Sequence, residues 1–422
     1  MQIADFSQIK IKDYKPVERL LDNGIKTYCF VNNDSEAVFM KFVFYNAGTI
    51  SQNKFFVSTL TKTQLNKNTK NYTYKELADE IDFFGLTYSP LTSNERTSLG
   101  FSFLSRYTKN IMPLLQQIIL FPKFSKDTLD TTISNQRQNY LLKLQQTNFL
   151  AQKYFVQELY GENNPYGNLA KVEDYDKVTE EDLKDFWQKY YSSDQCYLLL
   201  AGDIDDNFYD LLNDYFGKDF NVGNAKGIVK DIPPFKENKG IVRNSLDSAV
   251  QSSIVVGRLM PKVNHEDFIP LTVLNCLFGG YFNSRLMSNI REEKGYTYGI
   301  DSALVPFKYG NTMFIVSDVA MDKTDATIEE VFKEMKRLQT EKVSQEELSM
   351  VKNYMTGEFL RATDGVAEIS ENYDYIIRFG LRQDYNSYML DKIRRVSQKD
   401  IQCLAEKYLK PEDFLVSIVS KE

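Results

Sequence analysis

The segment Val178–Tyr190 returns 218 positions later as Val396–Tyr408, with Val, Asp, Lys and Tyr in register. Each copy leads into a strand-like run, CYLLLAGDI after the first and DFLVSIVS after the second. Upstream, Gln138-Asn139-Tyr140 and Lys352-Asn353-Tyr354 open similar long helical stretches, 214 residues apart. A period of about half the chain is far longer than a solenoid unit, so it implies a duplicated domain and a core built twice. The 29 phenylalanines and 27 tyrosines supply the apolar area for two such cores. The boundary falls where DFNVGNAKGIVKDIPPFKENKGIV carries Pro233, Pro234 and several glycines, which is linker chemistry. The expected organisation is a first domain over 1–220, a linker over 221–243 and a second domain over 244–422.

Strand-like runs open the first half (KTYCFVN, AVFMKFVFYNAG). A helix is expected from an N-cap at Thr73 to a C-cap at Gly85, with Leu77, Ile81 and Phe84 on one face. LGFSFLS reads as a further strand, followed by long helices. The second half opens with AVQSSIVVGR, passes through helices and then shows TYGIDSALV and TMFIVSDVA. Strands and helices without strict alternation predict an α+β fold: two duplicated domains, each an antiparallel sheet packed with helices, forming a clamshell.

Charge and composition exclude several functions. A net charge of −7 leaves no basic surplus for phosphates, so nucleic acid is not a partner. No apolar run approaches 18 residues, so no membrane span is expected. MQIADFSQIKIKDYK lacks an apolar core behind a basic start, which reads as cytoplasmic, or periplasmic if a signal peptide has been removed. Cys29, Cys196, Cys276 and Cys403 lie far apart in or near apolar runs and are expected to be free thiols. There is no P-loop, no G-x-G-x-x-G and no G-x-S-x-G nucleophile turn.

Residues 264–300 hold the densest pattern, NHEDFIPLTVLNCLFGGYFNSRLMSNIREEKGYTYGI. Two helices are expected to meet at Gly279-Gly280. The second would start at an N-cap on Asn283, staple Phe282 onto Met287 and stop at Gly295. Arg291 then sits in the last helical turn, and Tyr298 opens the following strand. An arginine there complements the helix dipole and a strand tyrosine is ordinarily core, so each residue alone has a purely structural explanation.

Together they resemble the C-terminal-domain signature of the pitrilysin/insulinase peptidase family, which includes mitochondrial processing peptidase: a glycine pair, Ser-Arg-Leu, then Arg-Glu-x-x-Gly-x-x-Tyr. Here these are Gly279-Gly280, Ser284-Arg285-Leu286, and Arg291 through Gly295 to Tyr298. Asn46-Ala47-Gly48, Tyr74-Lys-Glu-Leu and Asn164-Pro-Tyr-Gly167 extend the resemblance through the first half. It implies that Arg291 and Tyr298, with Gly279 and Gly280, contact a peptide substrate.

The same resemblance exposes what is missing. Family enzymes carry H-x-x-E-H on a first-half helix, where two histidines and a distal Glu bind zinc and the motif Glu is the general base. Aligning the family's following Gly-Thr with Asn68-Thr69 places Thr59, Lys62 and Thr63 at the motif positions. By pattern alone Ser58–Thr63 alternates like a strand; only the resemblance makes it a helix. The chain holds a single histidine, His265, and residues 96–157 contain no Glu. No metal or cofactor is expected. The resemblance implies a non-catalytic subunit of a two-subunit peptidase, paired with a zinc-bearing family subunit and acting on unfolded peptide. The alternative is a scaffold or assembly protein of the same fold.

Overall fold

The computed structural model describes residues 13–218, 220, 232–233 and 235–421. The first half runs β1 (Val17–Leu20), β2 (Lys26–Val31), β3 (Ala37–Phe44), α1 (Val57–Gln64), β4 (Asn68–Thr69), α2 (Tyr74–Phe83), β5 (Thr87–Thr92) and β6 (Thr97–Leu104). It continues with α3 (Thr108–Leu120), β7 (Pro122–Lys123), α4 (Lys126–Lys143), α5 (Thr147–Tyr160), α6 (Glu180–Tyr190), β8 (Cys196–Gly202) and α7 (Asp206–Phe216). The second half has β9 (Gly240–Ser245), β10 (Ser252–Met260), α8 (Phe268–Phe278), a π-helical segment (Met287–Glu293), β11 (Thr297–Val305) and β12 (Asn311–Val319). It ends with α9 (Thr324–Thr340), α10 (Gln345–Arg361), α11 (Val366–Phe379), α12 (Tyr385–Arg395), α13 (Gln398–Tyr408) and β13 (Leu415–Ser420).

The fold is α+β, and the duplication is visible in the strand order. One sheet runs β1-β2-β8-β3-β6-β5 and the other β9-β13-β10-β12-β11, so all but β1 has a counterpart. The repeated sequence segments become α6 and α13, and the shared Asp explains why they look alike. Thr179 and Asp182 close a capping box on α6, as Ser397 and Asp400 do on α13. The side-chain oxygen of each cap accepts from the N3 amide while the Asp carboxylate accepts from the cap amide. The box on α2 is built the same way, by Thr73 and Glu76, and Gly85 beyond its end has φ +62°.

Two expectations need correction. The sheets are not wholly antiparallel: β2 pairs parallel with β8, and β9 with β13. In the first half the second strand, and in the second half the first, lies beside the last, which the intervening helices make possible and which no local pattern signals. The linker is also shorter than 221–243, because β9 starts at Gly240 and its backbone is consumed by the parallel ladder to β13. Residues 221–231 and Pro234 of that segment lie outside the described residues.

The halves exchange helices. α5, from the first half, packs on β10 and β13 of the second sheet. Its Phe155 meets the Phe314 ring at 5.4 Å, and a Cβ at Gly257 would come within 2.7 Å of Phe155 Cζ, so glycine is what lets the helix seat. Reciprocally, α11 of the second half lies on β2 and β8, where Tyr373 meets Phe30 at 5.4 Å. Polar contacts accompany this exchange. Asp374 on α11, only 2% exposed, takes both guanidinium nitrogens of Arg96 at 2.7 Å and Lys41 at 3.2 Å. Glu95 accepts from Arg378 at 2.9 Å, from the Lys308 amide and from Tyr166.

Replacing Asp374 by Ala leaves Arg96 facing a low-dielectric seam without its counter-charge, while Lys41 keeps Glu371 at 2.6 Å. Breaking such a buried pair costs about 3–5 kcal/mol, so a large fall in the thermal midpoint is expected. Burial raises the Asp374 pKa, but Arg96 and Lys41 outweigh it and hold the carboxyl below its ordinary value. A depressed carboxylate stabilises the fold above its unfolded pKa and loses that contribution as pH falls through the folded value. The midpoint difference between wild type and Asp374→Ala should therefore be present at neutral pH and shrink only in acid. A difference independent of pH would refute this electrostatic account.

Candidate functional site

The signature region begins where α8 ends. The Gly279 and Gly280 amides both donate to the Asn275 carbonyl, and the Gly279 carbonyl accepts from Ser302 of β11 at 3.0 Å. A Cβ on Gly279 would lie 2.6 Å from Ser302 Oγ and 2.9 Å from Leu286 Cδ1; one on Gly280 would lie 2.9 Å from the Cys276 Cα. The glycine pair thus lets helix, strand and following turn approach closely. Gly279→Ala should destabilise the fold by about 1–3 kcal/mol through overpacking. An unchanged denaturation midpoint would dismiss this packing role.

Beyond the pair, each residue of Ser-Arg-Leu has a fixed job. Ser284 is buried and its Oγ accepts from the Met287 amide at 3.5 Å. Arg285 makes a two-pronged contact with Glu347 of α10, at 2.8 and 2.9 Å. Leu286 is fully buried in the second core. The expected N-cap at Asn283 and the Phe282–Met287 staple do not form. Phe282 is exposed, and Arg291 lays its guanidinium carbon 4.9 Å from that ring's centre. A cation over an aromatic face is a favourable use of a ring that the core does not take.

The helix carrying Arg291 is wider than the sequence suggests. Its Lys294 amide reaches back five residues to Asn289 at 3.1 Å, and the Tyr296 amide reaches Ile290 at 3.0 Å. Such π-helical turns are rare and concentrate at functional sites. Asn289 anchors this one by donating to Glu334 at 2.7 Å and Glu330 at 3.0 Å on α9. No residue pattern in the sequence points to Asn289, whose role depends on the facing helix.

Gly295, with φ +63°, ends the segment, and β11 follows at the edge of its sheet. The ladder to β12 slips between Thr297 and Ile300, so Tyr298 and Gly299 bulge out of register. Thr297 Oγ1 accepts the Gly299 amide at 3.1 Å and fixes the bulge. Bulges re-aim side chains, and here Tyr298 is completely exposed, with no hydrogen bond to Arg291 or any other group among the described residues. The structure brings the two residues to one end of the same helix–strand turn and does not join them.

In the first half, residues 57–64 are helical (α1), against the strand-like alternation of Ser58–Thr63. Leu60 and Leu65 are buried, while Thr59, Lys62 and Thr63 share the less buried side. Thr63 Oγ1 donates to the Thr59 carbonyl at 2.8 Å and accepts from Gln136 of α4 at 3.4 Å. Burial lowers the Lys62 pKa, and no carboxylate pairs with it among the described residues. Hydroxyls, an amide and an ammonium on this face cannot reproduce the two-imidazole, one-carboxylate set that zinc takes. No cluster of three or more His, Cys, Asp or Glu able to hold a metal exists among the described residues. Phe56, just before α1, has a left-handed backbone (φ 69°) and stacks on Tyr175 with ring centres 3.7 Å apart. It borders, with Thr59 and Tyr166, a cleft of about 570 Å³. A non-glycine residue held there costs of order 1–3 kcal/mol, a kind of strain that clusters at functional sites.

The cysteines are free; three are buried and Cys403 is exposed. No helix among the described residues is long and apolar enough to cross a membrane.

The chain has two matched α+β halves, with Arg291 and Tyr298 at a helix–strand turn in one and Thr59, Lys62 and Thr63 on α1 in the other. Family models match the chain. Residues 57–162 match Insulinase (Peptidase family M16), and residues 177–355 match the Peptidase M16 inactive domain. The chain belongs to the M16, or insulinase, peptidase family. Among its relatives is a protein named non-peptidase homolog YmxG from Helicobacter pylori, 24% identical over 91% of this chain and 89% of that one. Another, from Bacillus subtilis, is named uncharacterized zinc protease YmxG and is 21% identical over 84% of this chain and 85% of its own. The peptidase M16 inactive domain from Pseudomonas fluorescens has the same fold, with TM-score 0.88 at 18% identity, covering 97% of this chain and 98% of that one.

Proposed function

We propose that this chain is the non-catalytic subunit of a two-subunit zinc peptidase. Arg291 and Tyr298 hold peptide while a zinc-bearing partner of the same family performs hydrolysis. The observation that carries the reading is Tyr298 itself, a fully exposed tyrosine at a bulge, next to an arginine on a widened helix end. A side chain serving only its own fold would be packed or hydrogen-bonded. Its strand is a sheet edge, so extended peptide can add to β11 while the phenol and guanidinium donate to its carbonyls. With a single histidine in the chain, the metal must come from the partner. The scaffold alternative lacks a use for this turn.

Affinity purification from the native organism tests the proposal. A second chain of similar mass carrying H-x-x-E-H is expected, with about one zinc per pair and none in this chain purified alone. Recovery of this chain without such a partner, or with one tightly held zinc of its own, would sink the proposal.

A further inference from the structure

The duplication supplies an internal standard for how each sheet is covered. With the repeat offset of 218, Tyr197 on β8 corresponds to Leu415 on β13. Tyr197 pairs with Val43 on β3, and Leu415 with Gly257 on β10. One strand further, Val43 and Lys41 face Ser98 and Gly100 on β6, whereas Gly257 and Val255 face Phe314 and Val316 on β12. The second sheet therefore carries Phe314 and Val316, packed with Phe155 of α5, where the first sheet carries only Ser98 and Gly100. The helix above does not make up the difference, because α11 presents Ala367 and Ser370 there. A cavity of about 590 Å³ is left between α11 and the sheet, floored by Phe39, Ser89, Gly100 and Ser102. Ser370 is buried, yet its hydroxyl stays open to the cavity and bonds to nothing among the described residues. Lys41 on the same wall already holds Glu371 at 2.6 Å and Asp374 at 3.2 Å.

We propose that this cavity binds a small uncharged aromatic molecule carrying one hydroxyl or ring N–H, of the phenol or indole class. Its ring takes the space that Phe314 and Val316 fill on the second sheet, and lies against Phe39. Its O–H or N–H donates to Ser370 Oγ, an acceptor that the fold leaves unused. The volume falls in the range of small-molecule sites, which favour interfaces between domains and combine apolar walls with a few polar groups. An anion is disfavoured, because Lys41 has no charge to spare and Glu368 and Glu371 line the same opening. Because one wall comes from each half, occupancy also holds α11 against the first sheet. This site is separate from the Arg291–Tyr298 turn and does not depend on its reading.

The test uses the full chain and calorimetric titration with p-cresol, indole, 4-hydroxyphenylacetate, indole-3-acetate and N-acetyltyrosinamide. The first two separate a single ring from a fused one, the next two add a carboxylate, and the last adds a peptide backbone. p-Cresol or indole should bind saturably, about tenfold or more tighter than its carboxylate analogue, and should raise the thermal midpoint. Ser370→Ala should weaken that binding severalfold, up to about tenfold, for the loss of one hydrogen bond. Its ligand-free midpoint should match wild type, since the hydroxyl has no partner to lose. Ser102→Leu, which puts side-chain bulk back on β6, should abolish binding without lowering the midpoint; if it fails to fold, Ser370→Ala decides. Carboxylate analogues binding as tightly, Ser370→Ala binding like wild type, or no saturable binding of either ring at millimolar concentration would each overturn the assignment. N-acetyltyrosinamide binding more tightly than both would also overturn it, and would make the cavity a pocket for a peptide side chain.

Discussion

Residues 1–220 expressed alone will not form a cooperatively unfolding domain, although the repeat places a domain boundary at their end. Phe30, Val43, Tyr197, Leu199 and Ala201 belong to the first sheet by sequence, yet they are buried in the core cluster of the second half. α11 supplies part of their cover. Burying a Val, Leu or Phe side chain is worth about 1.5–3 kcal/mol, so exposing this group removes roughly 5–10 kcal/mol. That is comparable to the entire stability of an ordinary domain, about 5–15 kcal/mol. The same cut strands Arg96 and Lys41 without Asp374, and leaves α5 with its apolar side unpaired. Thermal unfolding followed by circular dichroism and calorimetry, with the full chain alongside, reads the outcome. A sharp transition in the fragment near the full-chain midpoint would show that the exchanged helices are decoration.

Under the proposed function, Tyr298→Phe and Arg291→Ala should each lower kcat/KM of the assembled two-subunit enzyme about a hundred- to thousandfold. Fixed donors aimed at developing negative charge contribute roughly 2.7–4 kcal/mol in oxyanion-type sites. Tyr298→Phe is the cleaner variant, because the hydroxyl it removes makes no hydrogen bond within the described residues and the ring is already outside the core. Its thermal midpoint should be unchanged. Arg291→Ala also loses the stacking on Phe282, about 0.5–1 kcal/mol at an exposed site, so a small midpoint shift is expected. Co-elution with the partner should persist in both. Wild-type kinetics in both variants would shift the reading to a scaffold.

Much of the local structure was legible because it rests on neighbours in sequence. The Thr73 cap and the Gly85 stop of α2 depend on interactions within one turn, and the strands around Phe42, Leu199 and Ile315 follow short apolar runs. α1 was not legible from its own pattern. Four of its eight residues are Ser or Thr, and its buried positions are dictated by α4 and α6 against which it packs. The Asn283 cap failed for a similar reason: tertiary contacts of Arg285, Leu286 and Asn289 set where the helix begins and how wide it is.

Composition and order along the chain determined what the site lacks. One histidine cannot make a two-histidine metal site in any conformation, and that conclusion needed no coordinates. The duplication and the Arg291–Tyr298 spacing are likewise properties of the string. Only the folded chain decided that the halves trade α5 for α11, that Gly279 is held by Ser302 and Leu286, and that a bulge turns Tyr298 fully outward. Those facts arise from contacts between residues far apart in sequence, where sterics and burial choose among arrangements that local propensity leaves equal.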